Sequence, residues 1–268
     1  MTIRRLASLL LLLCAATPTL ACTPITSVPI TLTAPGTYCL IDDLVAPADE
    51  TAITINGNGI AVDLRGHALR GSDAPDGQGK GILVAAHRRD VLVRNGRIGG
   101  FGYGMWIVVA MNVVVEDLEI GDVASGISAV QGSHYSFRRN RVSGTDYAGI
   151  SVGMSIPILS NPAARTVLIS DNEILGVNAT GSPVPDAFGI FTASHAAIIA
   201  GNRVTGVRGG PGSAAVRAFT GSLLVDNEFS ATATSAVCTS GSPTTKAIRN
   251  VATNGQPGYT YCVGYDNF

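Results

Sequence analysis

Val167-Leu168-Ile169-Ser170-Asp171-Asn172-Glu173-Ile174 is the stretch whose pattern decides the fold. Apolar residues alternate up to Ile169, two polar residues follow, and an apolar residue stands two places after Asn172. The order recurs from Ile198 through Asn202 to Val204, through Asn140 to Val142, and through Asn227 to Phe229. Val91-Leu92-Val93-Arg94-Asn95 is a version one residue tighter, and Val113 to Ile120 keeps the spacing with Leu118 at the Asn position. A second pattern lies between these copies, reading Gly, apolar, any, apolar or small. It appears at Gly81-Ile82-Leu83-Val84, Gly104-Met105-Trp106-Ile107, Gly126-Ile127-Ser128-Ala129, Gly149-Ile150-Ser151-Val152 and Gly189-Ile190-Phe191-Thr192. Weaker copies are Ala215-Val216-Arg217-Ala218 and Ala236-Val237-Cys238-Thr239.

Both patterns alternate with period two, which is the periodicity of strands. Their apolar positions are rich in Val and Ile, which suit a pleated, buried surface. Strand units repeated every ~22 to 32 residues specify a solenoid. Each coil adds one strand to each of several parallel sheets, ~4.8 Å above the last, so roughly eight coils make a rod about 40 Å long. Ile and Val of the glycine pattern point inward. The residues between them form an outward column: Leu83, Trp106, Ser128, Ser151, Phe191, Arg217 and Cys238. An Asn at a corner tolerates left-handed backbone and bonds locally. Asn140, Asn172, Asn202 and Asn227 are expected to stack as a ladder, with Asn95 below it. The leucine-rich repeat is the competing solenoid. It needs Leu at most apolar positions and commonly a helical second half, whereas here Leu is a minority and a second strand follows the Gly.

Composition agrees. The chain has 268 residues, 46% hydrophobic and 14% charged, with 32 Gly and 13 Pro. Low charge with high apolarity excludes a disordered chain. A formal net charge of -1 argues against a basic nucleic-acid binder. Residues 1–21 read as a secretory signal: Arg4 and Arg5, an apolar run from Leu6 to Ala16, then small Ala21 before Cys22. That run falls short of the ~20 residues of a membrane span, and no later segment reaches it. Residues 22–50 then form a cap region and residues 51–268 the repeats with a disulfide cap, in a secreted or periplasmic protein. A lipoprotein reading of Leu20-Ala21-Cys22 competes, but Thr19 and Leu20 fit a lipobox poorly and a lipid on Cys22 would orphan Cys39. With Cys14 in the signal, Cys22, Cys39, Cys238 and Cys262 remain, two near each end. Three pairings exist, and proximity favours Cys22–Cys39 and Cys238–Cys262.

Ile60-Ala61-Val62-Asp63-Leu64-Arg65-Gly66-His67-Ala68-Leu69-Arg70-Gly71 is similar to the first coil of many secreted bacterial proteins of the pectin-lyase-like superfamily. Pro35-Gly36-Thr37-Tyr38-Cys39-Leu40 resembles the cap strand that precedes it. The resemblance covers about residues 25 to 265 and implies an all-β, right-handed parallel β-helix. It implies no single activity, because the superfamily includes lyases, hydrolases, epimerases and tail-spike proteins.

The resemblance also implies that polysaccharides lie along the strand sheet that here carries the glycine pattern. Trp106 and Phe191 are rings suited to the apolar faces of sugars, about three coils or 14 to 15 Å apart. The bland alternative is that an insertion covers them. Long turns at Gly153–Thr166, with Pro157 and Pro162, and at Gly176–Phe188, with Pro183 and Pro185, would wall a cleft over Ser151 and Phe191. Asp146 and Asp186 each stand three residues before their Gly, which places them roughly 5 to 8 Å apart on neighbouring coils. Such a pair suits acid–base hydrolysis or a Ca²⁺ ion. Their plain reading is as turn residues, shared by Asp76 and Asp122. Arg217 is the basic member of the outward column, and that column holds no Asp or Glu, which departs from catalytic members of the superfamily. His87, His134 and His195 read as turn residues spaced too far apart to share a metal. Arg138, Arg139 and Arg141 read as a solvated edge, and the Asn178-Ala179-Thr180 sequon is set aside because the signal looks bacterial. The leading functional expectation is a polysaccharide binder using Trp106, Ser151, Phe191 and Arg217, with no cofactor or resident metal. A lyase or glycoside hydrolase using Asp146 and Asp186 is the alternative, and a structural or adhesive surface rod the third.

Overall fold

The computed structural model describes residues 22–72, 78–153, 165–179, 186–194, 196–230, 234–238, 244–253, 259–260 and 262–265. The signal segment, Asp76, His195, Thr180, most of the two long turns and their four prolines lie outside them. The described chain is strand and turn throughout, and every strand pairing is parallel. One continuous ladder winds around three faces.

The first face, sheet I, starts with Thr23–Ile25, Gly36–Leu40 and Ile60–Asp63, and ends at Val263–Tyr265. Sheet II runs from Ile30–Leu32 through Thr51–Ile55, Lys80–Val84, Phe188–Thr192 and Ala214–Ala218 to Tyr259–Thr260. Sheet III runs from Leu44–Val45 through Ala68–Arg70, Glu173–Val177 and Arg203–Thr205 to Val251–Thr253. The chain visits I, III, II and then I again. Arg89–Arg138 rounds the corners without a break over more than two coils, and Arg141–Val152 passes from sheet III to sheet II. Among the described residues there are nine such passes, close to the eight or so the repeats suggest.

Inward residues of all three faces fill the core. Ile53, Ile82, Met105, Ile127, Ile150, Ile190 and Val216 stack on sheet II at 0% exposure. Burial of this continuous apolar column drives coil-on-coil stacking.

The glycine column marks the tight corner between sheets III and II. A Cβ on Gly126 would stand 2.4 Å from the Gly149 carbonyl oxygen and 2.5 Å from Val142 Cγ1. Gly149 meets the same crowding from Gly189 and Ile174. A Cβ has no room on these coils, which is why Gly recurs there, while the small residues Ala52 and Ala215 hold the matching place beyond Gly81 and Gly189. The corner between sheets I and III depends on conformation instead. Arg139, Asp171, Gly201, Asp226 and Arg249 are left-handed, with φ between 50 and 64°. In each case the next residue is an Asn, buried to 2% exposure or less.

These asparagines form the ladder. Asn172 Oδ1 accepts from the Asn140 backbone N–H at 2.9 Å and from Asn140 Nδ2 at 3.0 Å. Asn202, Asn227 and Asn250 repeat the link. Each Nδ2 also donates to a carbonyl on the preceding coil, as Asn172 does to Phe137 at 2.9 Å. Buried amides are thus satisfied through the core, as they must be. Two expectations change. Asn95 is not in the ladder: its tighter spacing puts it at the left-handed position, φ 60°, where Nδ2 reaches Asp63. Asn250 extends the ladder by one coil.

The Asp63–Gly71 segment shapes an early corner. Arg65 and Gly66 have φ of 50° and 80°. The His67 N–H donates to the Leu64 carbonyl at 2.8 Å, closing a two-residue turn. Asp63 holds it by accepting from the Arg65 N–H at 2.9 Å and from Arg94 Nε at 3.0 Å on the next coil.

The disulfides Cys22–Cys39 and Cys238–Cys262 form as expected, one at each end. Cys238 is not an outward residue, however. It pairs with inward Ala218 and is fully buried, while Val237 pairs with Arg217. The last copy of the pattern is read one residue out of step because it has no Gly to mark the corner: Ala236 aligns with Val216, not with Ala215.

Candidate functional site

Outward residues of sheet II follow the expected column from coil to coil. Leu83 pairs with Trp106, Ser128 with Ser151, Ser151 with Phe191, and Phe191 with Arg217. Trp106 and Phe191 are partly exposed, while Ser128 and Ser151 are buried at 5% and 3% exposure. Ser151 Oγ donates to Ser128 Oγ at 3.0 Å.

A parallel column three residues earlier on each strand carries more chemistry than the sequence pattern suggested. Lys80 pairs with Tyr103, and Ala148 pairs with Ser125 and Phe188. Tyr103 packs edge-on against Trp106 with ring centroids 4.4 Å apart, and Lys80 Nζ sits 5.9 Å over the Tyr103 ring. Higher on the face, Phe188 lies 5.3 Å from Phe191 and 6.2 Å from Tyr147. The Arg217 guanidinium covers both phenylalanines, 5.6 Å from the Phe188 centroid and 6.0 Å from Phe191. Tyr103, Tyr147 and Phe188 were not among the site residues expected from the sequence. The signal was present, since Tyr103 and Phe188 stand immediately before the pattern's Gly.

Tyr147 reaches this cluster through a bulge. Opposite the preceding coil, Thr145 pairs with Val123 and Ala148 with Ser125, so this strand carries one extra residue between them. An extra residue bends a strand and re-aims its side chains. Asp146 and Tyr147 occupy that bulge. Burial pushes the Tyr147 phenol above the ordinary tyrosine range, the Arg217 charge pulls it back, and Asp186 and Tyr103 add to the rise. The phenol thus stands within electrostatic range of both Arg217 and Asp186.

The pairing of Ala148 with Phe188 sets Asp146 and Asp186 at matching positions of consecutive coils. Both are partly buried. Asp186 Oδ1 accepts the Gly212 backbone N–H at 2.9 Å, and Oδ2 would stand 2.2 Å from a Cβ at Gly212.

The remaining charged candidates fall elsewhere. Arg138 and Arg139 both bond Glu116, Arg139 also bonds Asp117, and Arg141 bonds Glu173. The basic run is therefore a paired edge. His87 sits in a turn with φ of 63°, and His134 takes a left-handed position, φ 57°, within Arg89–Arg138. Among the described residues no group of three or more His, Cys, Asp or Glu converges, and no helix is long and apolar enough to cross a membrane. Two shallow hollows of about 530 and 390 Å³ lie on other faces, one beside Gly66, Arg97 and Asp117 and one along Ala61, Leu92 and Val114 of sheet I. Neither gathers aromatic rings, so the sheet II face is the stronger candidate for a ligand.

A three-faced, disulfide-capped parallel solenoid with an internal Asn ladder is a right-handed parallel β-helix. Residues 51–229 match the family described as the right handed beta helix region, and the chain belongs to that family. A comparison with curated protein sequences finds no match. Three solved structures share the fold. The catalytic domain of an α-1,3-glucanase in complex with tetrasaccharides superposes with a TM-score of 0.54 at 14% identity, covering 87% of this chain and 52% of that one. The A-module of the Azotobacter vinelandii mannuronan C-5 epimerase gives 0.52 at 14% identity, covering 89% and 74%. The DFA-IIIase of Arthrobacter chlorophenolicus A6 without its lid gives 0.50 at 12% identity, covering 85% and 69%. The chain spans about half the length of the glucanase domain.

Proposed function

We propose that this protein is exported and binds an extracellular or cell-wall polysaccharide laid along the outer face of sheet II. One observation carries the reading. Partly exposed rings, Tyr103 with Trp106 at one end and Phe191 over buried Phe188 at the other, stand on one face with Ser128 and Ser151 between them. Aromatic rings cover the apolar faces of sugars, and the polar groups between them take hydroxyl hydrogen bonds. Two fold neighbours, the glucanase and the epimerase, are named for action on glycans, which supports the same class of ligand. The two disulfides fit an oxidising compartment, and residues 1–21 supply the export signal.

Cleavage by Asp146 and Asp186 is the second reading, favoured by their matching positions on adjacent coils. A paired-carboxylate hydrolase needs one acid to protonate the leaving oxygen and a second to activate water or attack the sugar. Against it, Asp186 is already engaged by the Gly212 N–H, as a turn residue would be.

Both readings are tested by incubating the protein with a panel of neutral and uronic-acid polysaccharides, with and without Ca²⁺, and measuring retention and product length. Binding without shortening is the expected outcome. Shortened chains that disappear with Asp146→Asn and Asp186→Asn would establish the second reading. No retention of any glycan would leave a surface rod.

A further inference from the structure

Sheet I carries an outward column that the sheet II site does not use. It runs from Ala61 and Leu92 up to Leu168, Ile198 and Leu223, and every member on the way except Ser136 is apolar. Ile198 is 44% exposed, and Val263, two coils above Leu223, is 48% exposed. In the lower coils a second column of paired charges, Asp63 with Arg94 and Glu116 with Arg138, flanks the first. Higher up that flank turns apolar at Ala200, Val225 and Ile248, so the upper end is apolar across its width. The lower end is sunken instead. A hollow of about 390 Å³ lies over Ala61, Leu92 and Val114, beside Gly36 and Gly59, which have no side chains to fill it, and Asp90 stands on its rim.

We infer that sheet I is the contact surface for a second copy of this chain, packed face to face with the two rods antiparallel. A raised apolar end and a sunken one on the same face are self-complementary, and a two-fold axis uses each of them twice. With the axis between the coils of Ser136 and Leu168, Ile198 of each copy faces Val114 of the other, and Leu223 faces Leu92. Exposed Lys246, one coil above Leu223, then arrives at the Ala61 end of the hollow, beside Asp90. Opposite charges there favour this arrangement over its alternatives. Parallel rods would set Ile198 against Ile198 and leave both hollows unfilled, which forfeits contacts. The strip is about 38 Å tall and 13 Å wide at strand spacing and rise, or roughly 500 Å² on each copy. That equals the largest apolar patch a typical monomer shows. Burying it on both copies removes about 1,000 Å², the lower limit of a specific interface, so the dimer is weak and reversible. The inference does not rest on the glycan reading, because sheet II stays open on both copies.

Sedimentation velocity of the exported protein over a range of concentrations is the first test. Half of it is expected to be dimer at about 10 to 100 μM and nearly all of it single chains at about 1 μM. Ile198→Glu and Leu92→Glu, on opposite halves of the contact, each raise the dissociation constant about tenfold or more. Both side chains point outward, and urea unfolding confirms that the variants are folded. Cysteine cross-linking tests the orientation. Val114 and Ile198 of one chain lie three coils, about 14 Å, apart, too far for a disulfide within the chain. A chain carrying both Val114→Cys and Ile198→Cys therefore oxidises to a covalent dimer, while either single variant alone does not. A single-chain mass at every concentration overturns the inference and leaves the face to a different partner. A dimer that ignores both glutamate substitutions overturns the assignment to sheet I. Cross-linking of a single variant with itself overturns the antiparallel arrangement.

Discussion

Sheets I and II are strands of the same ladder, yet their outer faces treat charge differently. On sheet I, Asp63 faces Arg94 and Glu116 faces Arg138, each carboxylate bonded to the guanidinium one coil above. Glu116 is 8% exposed and is held by two arginines. Every charge named there is spent within the protein. On sheet II, the outward columns hold rings and hydroxyls, and Arg217 lies across two phenylalanines with Nε unpaired. The contrast separates two uses of a repeated position. A stacked column of opposite charges supports its own coil, whereas rings with an unpaired cation are arranged for something outside the chain.

The comparison is broken or sharpened by substitutions on the inside, on sheet II and on sheet III, where arginines and carboxylates also pair between coils. The largest effect lies inside. Gly126→Val drives a side chain into the Gly149 carbonyl and Val142, and costs about 3 kcal/mol in urea unfolding. A cost below about 1 kcal/mol would mean that the corner yields and that Gly is not required there. Asn172→Ala follows at about 2 kcal/mol, because the buried N–H and Nδ2 donors of Asn140 lose their shared acceptor. A smaller loss, measured the same way, would show that water or a neighbouring carbonyl replaces the ladder. Phe191→Ala weakens glycan binding about tenfold, some 1.4 kcal/mol, in calorimetry, with little change in the unfolding midpoint. Unchanged affinity would remove the upper half of the site. Arg141→Ala on sheet III breaks the exposed pair with Glu173, costs under about 1 kcal/mol and leaves glycan affinity unaltered. A loss of affinity there would erase the distinction between the faces.

Period-two alternation with Val and Ile made the strands legible, and the recurring Gly and Asn marked two of the three corners. Errors came where the punctuation was missing or shifted. Asn95 stands two residues after Val93, whereas Asn172 stands three after Ile169, and that single residue moves it from the core to the left-handed turn. Asn250 escaped notice because small Ala247 and Ala252 occupy the apolar positions around it. Cys238 was taken as outward because, with no Gly to set the register, Ala236 was read at the Gly position although it aligns with inward Val216. The outward column of the site was legible from Trp106 to Arg217. Tyr147 was not, because a bulge is a feature of strand pairing and leaves no period of its own. Nor does a sequence pattern tell a paired arginine from an unpaired one, since the difference between Arg94 and Arg217 lies in what a neighbouring coil brings opposite them.

Trp106 is the only tryptophan in the chain, so its fluorescence reports on the proposed site alone. The most direct measurement follows Trp106 emission and its quenching by acrylamide while a binding polysaccharide is titrated to saturation. A glycan lying along sheet II shields the ring, so the emission shifts and quenching falls in step with calorimetric binding. Saturated binding that leaves Trp106 emission and quenching unchanged would place the glycan elsewhere and contradict the account.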